Sequence, residues 1–327
     1  MASRAFLLAL AAMLAAPAHA SPLPFPASAQ WVTLGTGGGP LPRVRRAQPA
    51  NALVVNGVIY LFDVGDGVLR QLALAGLGRA RIAAVFISHH HFDHNAGLGP
   101  LLASRWLFNH YEPIPVTGPP GTRDMVKSLG AAFRATELAP ITIGAPRKPS
   151  IAATVKAIDL PADTDDPVLV YADANVRVLA VTNDHYHFPR GSEEARFSRS
   201  YAFRVETAGR NFAYTGDTGP SRNVEQVAQN ADLLISEVID LGAMERVLRQ
   251  AAEVTPALLG PMLAHMEQDH LTPEAVGDLA TRAHVREVVL THLAPGLDSD
   301  LDTSPLTEGV KHKFAGEIHV ANDGDRF

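Results

Sequence analysis

The first third of the chain alternates short apolar and polar runs in a way that predicts β-strands. Residues 52–55 and 58–63 are apolar runs joined by Asn56-Gly57, a pair typical of a two-residue hairpin turn. The segment Asp63-Val64-Gly65-Asp66-Gly67 ends the second run and opens a helical pattern that extends to Leu77. The other elements predicted here are a strand over 31–36, a fully apolar strand over 82–88 and a helix over about 95–106.

From residue 175 onward, apolar runs alternate with helical patterns. The predicted strands cover 175–182, 200–206, 212–215, 232–237, 286–291 and 317–321, and the predicted helices cover 220–229, 243–260 and 273–284. A β-rich start followed by alternating strands and helices predicts a layered α/β sandwich, rather than a doubly wound parallel sheet. Residues 107–165, which are rich in Pro and Ala, are interpreted as an insertion or cover.

The N-terminal 20 residues have the pattern of a secretory signal peptide. A short basic start is followed by an apolar stretch and by Ala18-His19-Ala20, which fits a cleavage site after Ala20. The apolar stretch is shorter than the roughly 20 residues that a membrane span needs. We therefore predict a signal peptide at 1–20, a Pro-rich lead at 21–29, a single domain at 30–327 and a periplasmic or secreted protein.

Composition narrows the possible chemistry. Hydrophobic residues make up 46% of the 327 residues and charged residues 19%, which is typical of a folded domain. The net charge of −6 argues against a general polyanion-binding surface, so nucleic acid is not an expected partner. The chain contains no Cys, so a metal would have to be held by His and carboxylate side chains.

Such side chains cluster in Ser88-His89-His90-His91-Phe92-Asp93-His94, directly after a buried strand. Residues two apart in extended backbone project to the same face, so His89 and His91 can share one metal ion. His90 points away from them. Asp93 and His94 follow where the chain turns into a helix, and they can reach a second ion. A metal site is therefore the first interpretation of this segment.

The segment resembles the HxHxDH motif of the metallo-β-lactamase superfamily. Four other segments occur in the order found in its ribonuclease Z-like branch: Leu34-Gly35-Thr36-Gly37, Asp63-Val64-Gly65-Asp66-Gly67, Gly118-Pro119-Pro120-Gly121 and Tyr214-Thr215-Gly216-Asp217-Thr218. The resemblance covers about residues 31–321. It implies an α/β fold with a four-layer αββα metallo-β-lactamase sandwich.

The resemblance also implies a set of metal ligands. His89, His91 and His185 would bind a first ion, Asp93, His94 and His292 a second, and Asp217 would bridge the two. His187 lies two residues after His185 on the same face, and it is the alternative to His185. Two Zn²⁺ ions fit this thiolate-free set, and Fe or Mn would also fit.

A second pair of residues resembles the acid–base machinery of ribonuclease Z-like enzymes. In this interpretation Glu237 orients His270, and His270 gives a proton to the leaving oxygen, while Asp93 belongs to the reacting centre. The alternative is structural, because Thr272 could cap a helix that begins at Pro273 and leave His270 exposed. Asp63 is a candidate for orienting ligands near the site.

The resemblance implies a hydrolase in which a metal-bridged hydroxide attacks a small phosphodiester or aryl sulfate ester. The alternatives are a lactonase or β-lactamase acting on a cyclic carbonyl substrate, a ribonuclease Z-type endonuclease, and a metal-binding scaffold without turnover. The expected partner is a small-molecule ester, no membrane span is expected in the mature chain, and oligomerisation stays open.

Overall fold

The structure is a computed structural model that describes residues 29–39, 41–139, 148–189, 191–252, 254–296, 298 and 302–327. The predicted signal peptide and most of the Pro-rich lead lie outside these residues, so both stay predictions. The first described strand begins at Ala29, and the domain boundary at residue 30 stays a prediction. Within the described part, no helix has the length and apolar character that crossing a bilayer requires.

The first half of the chain forms a six-stranded sheet in sequential order. Its strands are β1 (Ala29–Gly35), β2 (Ala50–Val55), β3 (Val58–Val64), β4 (Ile82–Phe86), β5 (Ile114–Gly118) and β6 (Val155–Asp159). The β2–β3 hairpin turns at Asn56 and Gly57, which both have positive φ angles (52° and 77°), as the predicted two-residue turn requires.

The second half forms a seven-stranded sheet that runs sequentially from β13 to β7. Its strands are β7 (Val168–Ala172), β8 (Arg177–Thr182), β9 (Tyr201–Glu206), β10 (Asn211–Tyr214), β11 (Leu233–Ile239), β12 (Glu287–Ala294) and β13 (Glu317–Val320). The pairing is antiparallel from β7 to β10 and parallel from β10 to β13. Parallel neighbours need crossover connections, and five of the six helices described in this half lie in them.

Helices cover the outer face of each sheet. Those described are α1 (Val68–Leu74), α2 (Phe92–Asn95), α3 (Leu98–Leu107), α4 (Thr122–Ala132), α5 (Arg134–Glu137), α6 (Glu193–Phe197), α7 (Arg222–Ala228), α8 (Leu241–Gln250), α9 (Pro256–Asp269), α10 (Pro273–Arg282) and α11 (Ser304–Lys311). One apolar cluster packs α1 and α3 on the first sheet, and another packs α7 and α10 on the second. The predicted αββα sandwich is confirmed.

The central core lies between the sheets. Trp31, Phe62 and Phe86 of the first sheet meet Phe203 and Tyr214 of the second, all fully or almost fully buried. The Phe62 ring centroid lies 5.0 Å from that of Phe86 and 5.8 Å from that of Phe203. This aromatic layer fixes the relative position of the two sheets, and therefore of the loops at their edges.

Two sequence interpretations need correction. Residues 107–165 are not an insertion, because they contribute β5 and β6 to the first sheet and α4 to its cover. The helix predicted over 243–260 is two helices, α8 and α9. Thr255 precedes Pro256 and is extended (φ −78°, ψ 157°), because a residue before proline is sterically disfavoured in the helical region. Strand β7 and helix α11 were not predicted.

Candidate metal centre

The predicted ligands come together at one edge of the sandwich, on loops from both sheets. The segment after β4 supplies His89, His91, Asp93 and His94, with the last two in α2. The second sheet supplies residues at or just beyond strand ends: His185 after β8, Asp217 after β10, and His292 within β12. The site thus depends on the packing of the two halves.

The first group consists of His89, His91, His185 and Asp217, each of which offers a ligand atom within 4.8 Å of the others. The Nε2 atom of His185 lies 3.2 Å from Nδ1 of His91, and Nε2 of His89 lies 3.8 Å from Oδ2 of Asp217. Three imidazoles and one carboxylate converging in this way form a donor set that suits a divalent cation.

The second group consists of Asp93, His94 and His292, which meet the same 4.8 Å limit. Asp217 is adjacent to this group as well, since its Oδ2 lies 3.3 Å from Nε2 of His94 and 3.1 Å from Nε2 of His292. One oxygen of Asp217 therefore faces both groups. This is the arrangement expected of a carboxylate shared by two ions.

The electrostatics of the first group fit a cation. Burial lowers the pKa of His185 to about 3 and that of His91 to about 4, and it holds the pKa of His89 well below its usual value. These rings are neutral at neutral pH and have a lone pair free. Among the described residues, the buried Nε2 of His89 and Oδ1 of Asp217 have no hydrogen-bond partner, a costly state that metal binding would relieve.

The second group is held together by opposite charges. Burial disfavours the charged forms of His94 and His292, but the neighbouring carboxylates, chiefly Asp217, together outweigh it. They raise the pKa of His292 to about 10 and that of His94 well above its usual value. The pKa of Asp217 is well below its usual value despite burial, because His292 and His94 stabilise the carboxylate. A cation would take the place of the protons on these imidazoles.

Asp63, at the end of β3, orients the second group from behind. Nδ1–H of His94 donates to Oδ2 of Asp63 at 2.8 Å, so Nε2 points to the ligand cluster. The main-chain N–H and hydroxyl of Ser88 and the hydroxyl of Tyr214 also donate to this carboxylate, each at 2.7 Å. Asp63 therefore ties β3 and the His segment to β10, in agreement with its predicted orienting role.

The backbone at Gly216 and His292 has a left-handed conformation. Gly216 has φ +57°, and a Cβ there would lie 2.8 Å from the carbonyl oxygen of Tyr201 and 2.9 Å from Cβ of Ser88. His292 has φ +44°, which is rare for a residue with a side chain. Such strain persists where the surrounding structure fixes it, and here it aims Asp217 and His292 at each other.

His270 and Glu237 form a hydrogen-bonded pair beside the metal-ligand groups. Nδ1–H of His270 donates to Oε2 of Glu237 at 2.7 Å, and the main-chain N–H of Thr218 donates to Oε1 at 2.6 Å. Burial raises the pKa of Glu237, and this carboxylate in turn raises the pKa of His270 against the effect of burial. Thr272 caps α10 by accepting a hydrogen bond from the main-chain N–H of Ala275, as the structural alternative predicted. His270 is not exposed, as that alternative required, but is largely buried against Glu237.

His185 and His187 lie in different environments in the structure. His185 belongs to the first group, whereas Nδ1–H of His187 donates to the carboxylate of Asp269. The other oxygen of Asp269 accepts from Nδ1–H of His265, which the sequence interpretation left without a function. The sequence gives one signal for the contact between His265 and Asp269: they are four residues apart, which places them on one face of a helix.

A cavity of about 280 Å³ opens over the ligand groups. His91, Asp93, Asp217 and His292 line it on one side, together with His270. The rest of its lining is mainly apolar and comes from α8, α9 and nearby residues: Gly39, Phe92, Ile239, Met244, His265, Met266 and Ala294. His90 lies instead against the loop before α4, where its Nε2 is 3.5 Å from Oγ1 of Thr122, so it points away as predicted.

Comparison with known proteins agrees with this description. A sequence model of the beta-lactamase superfamily domain matches residues 59–293. Ribonuclease Z of Mycolicibacterium gilvum (strain PYR-GCK) is 29% identical over 305 residues, which cover 89% of this chain and 93% of that protein. The metallo-beta-lactamase fold protein YhfI from Bacillus subtilis superimposes with a TM-score of 0.64 at 20% identity, covering 91% of this chain and 98% of that one. Human tRNase Z, short form, superimposes with a TM-score of 0.63 at 23% identity and the same coverage.

These matches confirm that the chain is a metal-dependent hydrolase, but they correct the predicted substrate. The main prediction, hydrolysis of a small phosphodiester or aryl sulfate ester, is wrong, because relatives matching along 89% of the chain are ribonucleases Z. They favour the ribonuclease Z-type alternative instead. The expectation that nucleic acid is not a partner is wrong for the same reason.

The physical origin of this error is the use of net charge. A total of −6 sums over the whole chain, whereas the field at a cavity depends on the groups that line it. Bound divalent cations add positive charge at the point where a phosphate would be held. The net charge of the whole chain therefore does not indicate whether the cavity can hold a phosphate.

Proposed function

We propose a ribonuclease Z-type endonuclease function for this chain, which belongs to the metallo-β-lactamase superfamily as a ribonuclease Z-like member. The proposed reaction is hydrolysis of a phosphodiester bond in tRNA. The observation that carries the proposal is the Glu237–His270 pair beside two metal-ligand groups, in a chain similar to ribonuclease Z along most of its length.

The proposed cofactor is a pair of Zn²⁺ ions. His89, His91 and His185 would hold one ion, Asp93, His94 and His292 the other, and Asp217 both. The neutral imidazoles of the first group and the unpartnered buried atoms support this assignment. Two bound cations would supply a deprotonated water at neutral pH and offset the negative charge that develops on the phosphoryl group.

His270 is proposed to give a proton to the leaving oxygen. Its Nδ1 is engaged by Glu237, and the ring borders the cavity, so its other nitrogen is available to a substrate. Glu237 is itself fixed by the main-chain N–H of Thr218 and is buried, so it cannot turn away from His270. A fixed pair of this kind keeps the donating nitrogen within reach of the leaving group.

The apolar part of the cavity lining is suited to a nucleotide. Phe92 is 67% exposed although it lies between two ligand residues, and its ring is one of the groups at the cavity. Met244, Met266 and Ile239 extend the apolar surface beside it. An exposed aromatic ring next to a phosphate-binding centre is typical of a surface on which a base stacks.

A substrate panel tests the proposal. The zinc-loaded protein would be incubated with a tRNA transcript extended at both ends, an unstructured RNA of the same length, bis(p-nitrophenyl) phosphate and p-nitrophenyl sulfate. We expect one defined cut in the tRNA transcript, weaker cleavage of the unstructured RNA and no turnover of the sulfate. Turnover of the sulfate with intact RNA would refute the proposal, and an Asp217→Ala variant controls for contaminating nucleases.

The role of His270 has its own test, based on leaving groups. On RNA, whose leaving alkoxide is a poor leaving group, His270→Ala should lower kcat by about 10²- to 10⁴-fold, the range of general acid catalysis. On bis(p-nitrophenyl) phosphate, whose leaving phenolate needs little protonation, kcat should fall far less. An equal loss on both substrates would show that His270 does not act as the acid.

A further inference from the structure

Asp269, at the C-terminal end of α9, organises three imidazoles next to the cavity. It is 5% exposed, and its carboxylate accepts from Nδ1–H of His187 and from Nδ1–H of His265. Its main-chain oxygen accepts from Nδ1–H of His185 at 2.9 Å. Burial would raise the pKa of Asp269, but the hydrogen bonds from His265 and His187 lower it, so the group is a carboxylate at neutral pH.

Hydrogen bonding to Asp269 fixes which nitrogen of each ring carries the proton. With Nδ1–H donating to the carboxylate, a neutral imidazole presents the lone pair of Nε2 on its opposite edge. In His185 this nitrogen lies against His91 in the first ligand group. His265 lines the cavity, and its Nε2 has no hydrogen-bonding partner among the described residues.

The cavity therefore contains two imidazoles that are each held by a carboxylate. His270 is held by Glu237 and His265 by Asp269, and their ring centroids are 5.9 Å apart. Each ring can reach an oxygen about 3 Å beyond its outer nitrogen, so the pair can contact two neighbouring oxygens of one substrate. His187, on the other oxygen of Asp269, is not among the residues that line this cavity.

An acceptor nitrogen selects for a donor on the substrate. Phosphoryl oxygens are also acceptors, so an acceptor nitrogen forms no hydrogen bond with them. In the backbone of RNA the donor is the ribose 2′-hydroxyl, which is also the group that distinguishes RNA from DNA. The 2′-hydroxyl sits on the carbon next to the one that bears O3′. If one imidazole donates a proton to O3′, a second imidazole beside it can accept a hydrogen bond from the 2′-hydroxyl.

We infer that His265, positioned by Asp269, accepts a hydrogen bond from the 2′-hydroxyl of the nucleotide whose O3′ is the leaving oxygen. The inference rests on the proposed function. In the reaction, the oxygen of a water bonds to phosphorus, the P–O3′ bond breaks, and O3′ takes a proton from His270. His265 transfers no proton and acts as a specificity residue that favours ribose over deoxyribose at this one position.

The experiment compares two RNA substrates that differ in a single atom. One is all-ribose, and the other carries a single 2′-deoxynucleotide on the 5′ side of the cut. For the wild-type protein we expect kcat/KM to be about 5- to 10-fold higher for the all-ribose substrate, the contribution of one hydrogen bond. In His265→Ala and His265→Phe this ratio should fall toward one, because kcat/KM falls more on the all-ribose substrate than on the deoxy substrate.

His187→Ala is the matched control, because it removes the other partner of the same carboxylate and should keep the wild-type ratio. Metal content measured on all variants separates a local effect from loss of the site. A ratio unchanged in both His265 variants overturns this inference while the proposed function stands. Failure of the wild-type protein to cut the all-ribose RNA would overturn both.

Discussion

At the scale of single residues, Asp63 links the sheet core to the metal centre. We expect Asp63→Asn to weaken metal binding about 10- to 100-fold, because an amide cannot accept every hydrogen bond that the carboxylate accepts, and His94 loses its fixed orientation. Competition with a chromophoric chelator measures the affinity.

Asp173→Asn provides the control for this substitution. Asp173 also accepts hydrogen bonds from tyrosine hydroxyls, those of Tyr60 and Tyr171, but it belongs to neither ligand group. The metal affinity of the Asp173→Asn variant should equal that of the wild type. Wild-type affinity in Asp63→Asn as well would contradict the orienting role of Asp63.

His185 and His187 differ by two positions, and their substitutions should differ in effect. His185→Ala should lose metal from the first group, because it removes one of three imidazole ligands. His187→Ala should keep the wild-type metal content, since His187 binds Asp269 instead. Elemental analysis of the purified variants measures metal per chain, and the reverse pattern would reassign the ligand.

The residues visible in the sequence were those whose chemistry is local. Four candidate ligands stand within six positions, and Asp217 and His292 each follow the characteristic pattern of their segment. The contact between Asp269 and His187 spans 82 positions, so no spacing in the chain indicates it. His265 lies only four positions before Asp269, but this spacing indicates a shared helix face and not a place beside the metal-ligand groups, so no role was predicted for it.

At the scale of secondary-structure elements, the turn after β10 depends on Gly216. We expect Gly216→Ala to lower the free energy of unfolding by roughly 2 to 4 kcal/mol, since it adds a left-handed backbone penalty to a steric clash with Tyr201 and Ser88. Metal content should fall as well, because Asp217 is the next residue. Urea denaturation measures the stability change.

Gly260→Ala in α9 is the matched control. No atom lies within 4 Å of a Cβ built at Gly260, and alanine favours helix by up to about 1 kcal/mol over glycine. This variant should be as stable as the wild type or slightly more so. Equal destabilisation by both substitutions would show that the Gly216 turn has no special requirement.

Strands and helices were predicted where one face is buried. The Asn56-Gly57 hairpin and the apolar run before the His segment have strong local signals. Strand β7 was missed although Val168–Ala172 is a continuous run of apolar and aromatic residues, and none of its five residues is fully buried. The break between α8 and α9 depends on one proline within an otherwise helical pattern, and it determines where His265 and Asp269 face.

At the scale of the whole molecule, the metal centre joins the two sheets. Ligands from the segment after β4 and from the loops of the second sheet meet there. Removing the metal should therefore destabilise the whole sandwich, by about 2.7 kcal/mol relative to protein at a free metal concentration 100 times Kd. Thermal unfolding before and after chelation measures the shift.

An Asp217→Asn variant is the control for chelator effects, because it lacks the shared carboxylate and should show a much smaller shift. If the metal-free wild type unfolded at the same temperature as the metal-loaded protein, the metal would not link the two halves.

A layered α/β sandwich was predictable from the order of strand and helix patterns along the chain, whereas its four-layer αββα form was implied by the resemblance to the metallo-β-lactamase superfamily. The substrate class was not, because a net charge of −6 does not report the charge around one cavity. The export signal stays a prediction, since residues 1–20 lie outside the described part of the chain.

A zinc titration followed by RNA cleavage tests the proposed endonuclease function most directly. Metal-free protein receives increasing zinc, and an end-labelled tRNA transcript with extensions at both ends reports cutting under single-turnover conditions. A zinc-dependent ribonuclease Z-type function predicts a single cut that is absent without metal, appears as zinc binds and is lost in Asp217→Asn. A transcript that stays intact at full zinc occupancy would contradict it.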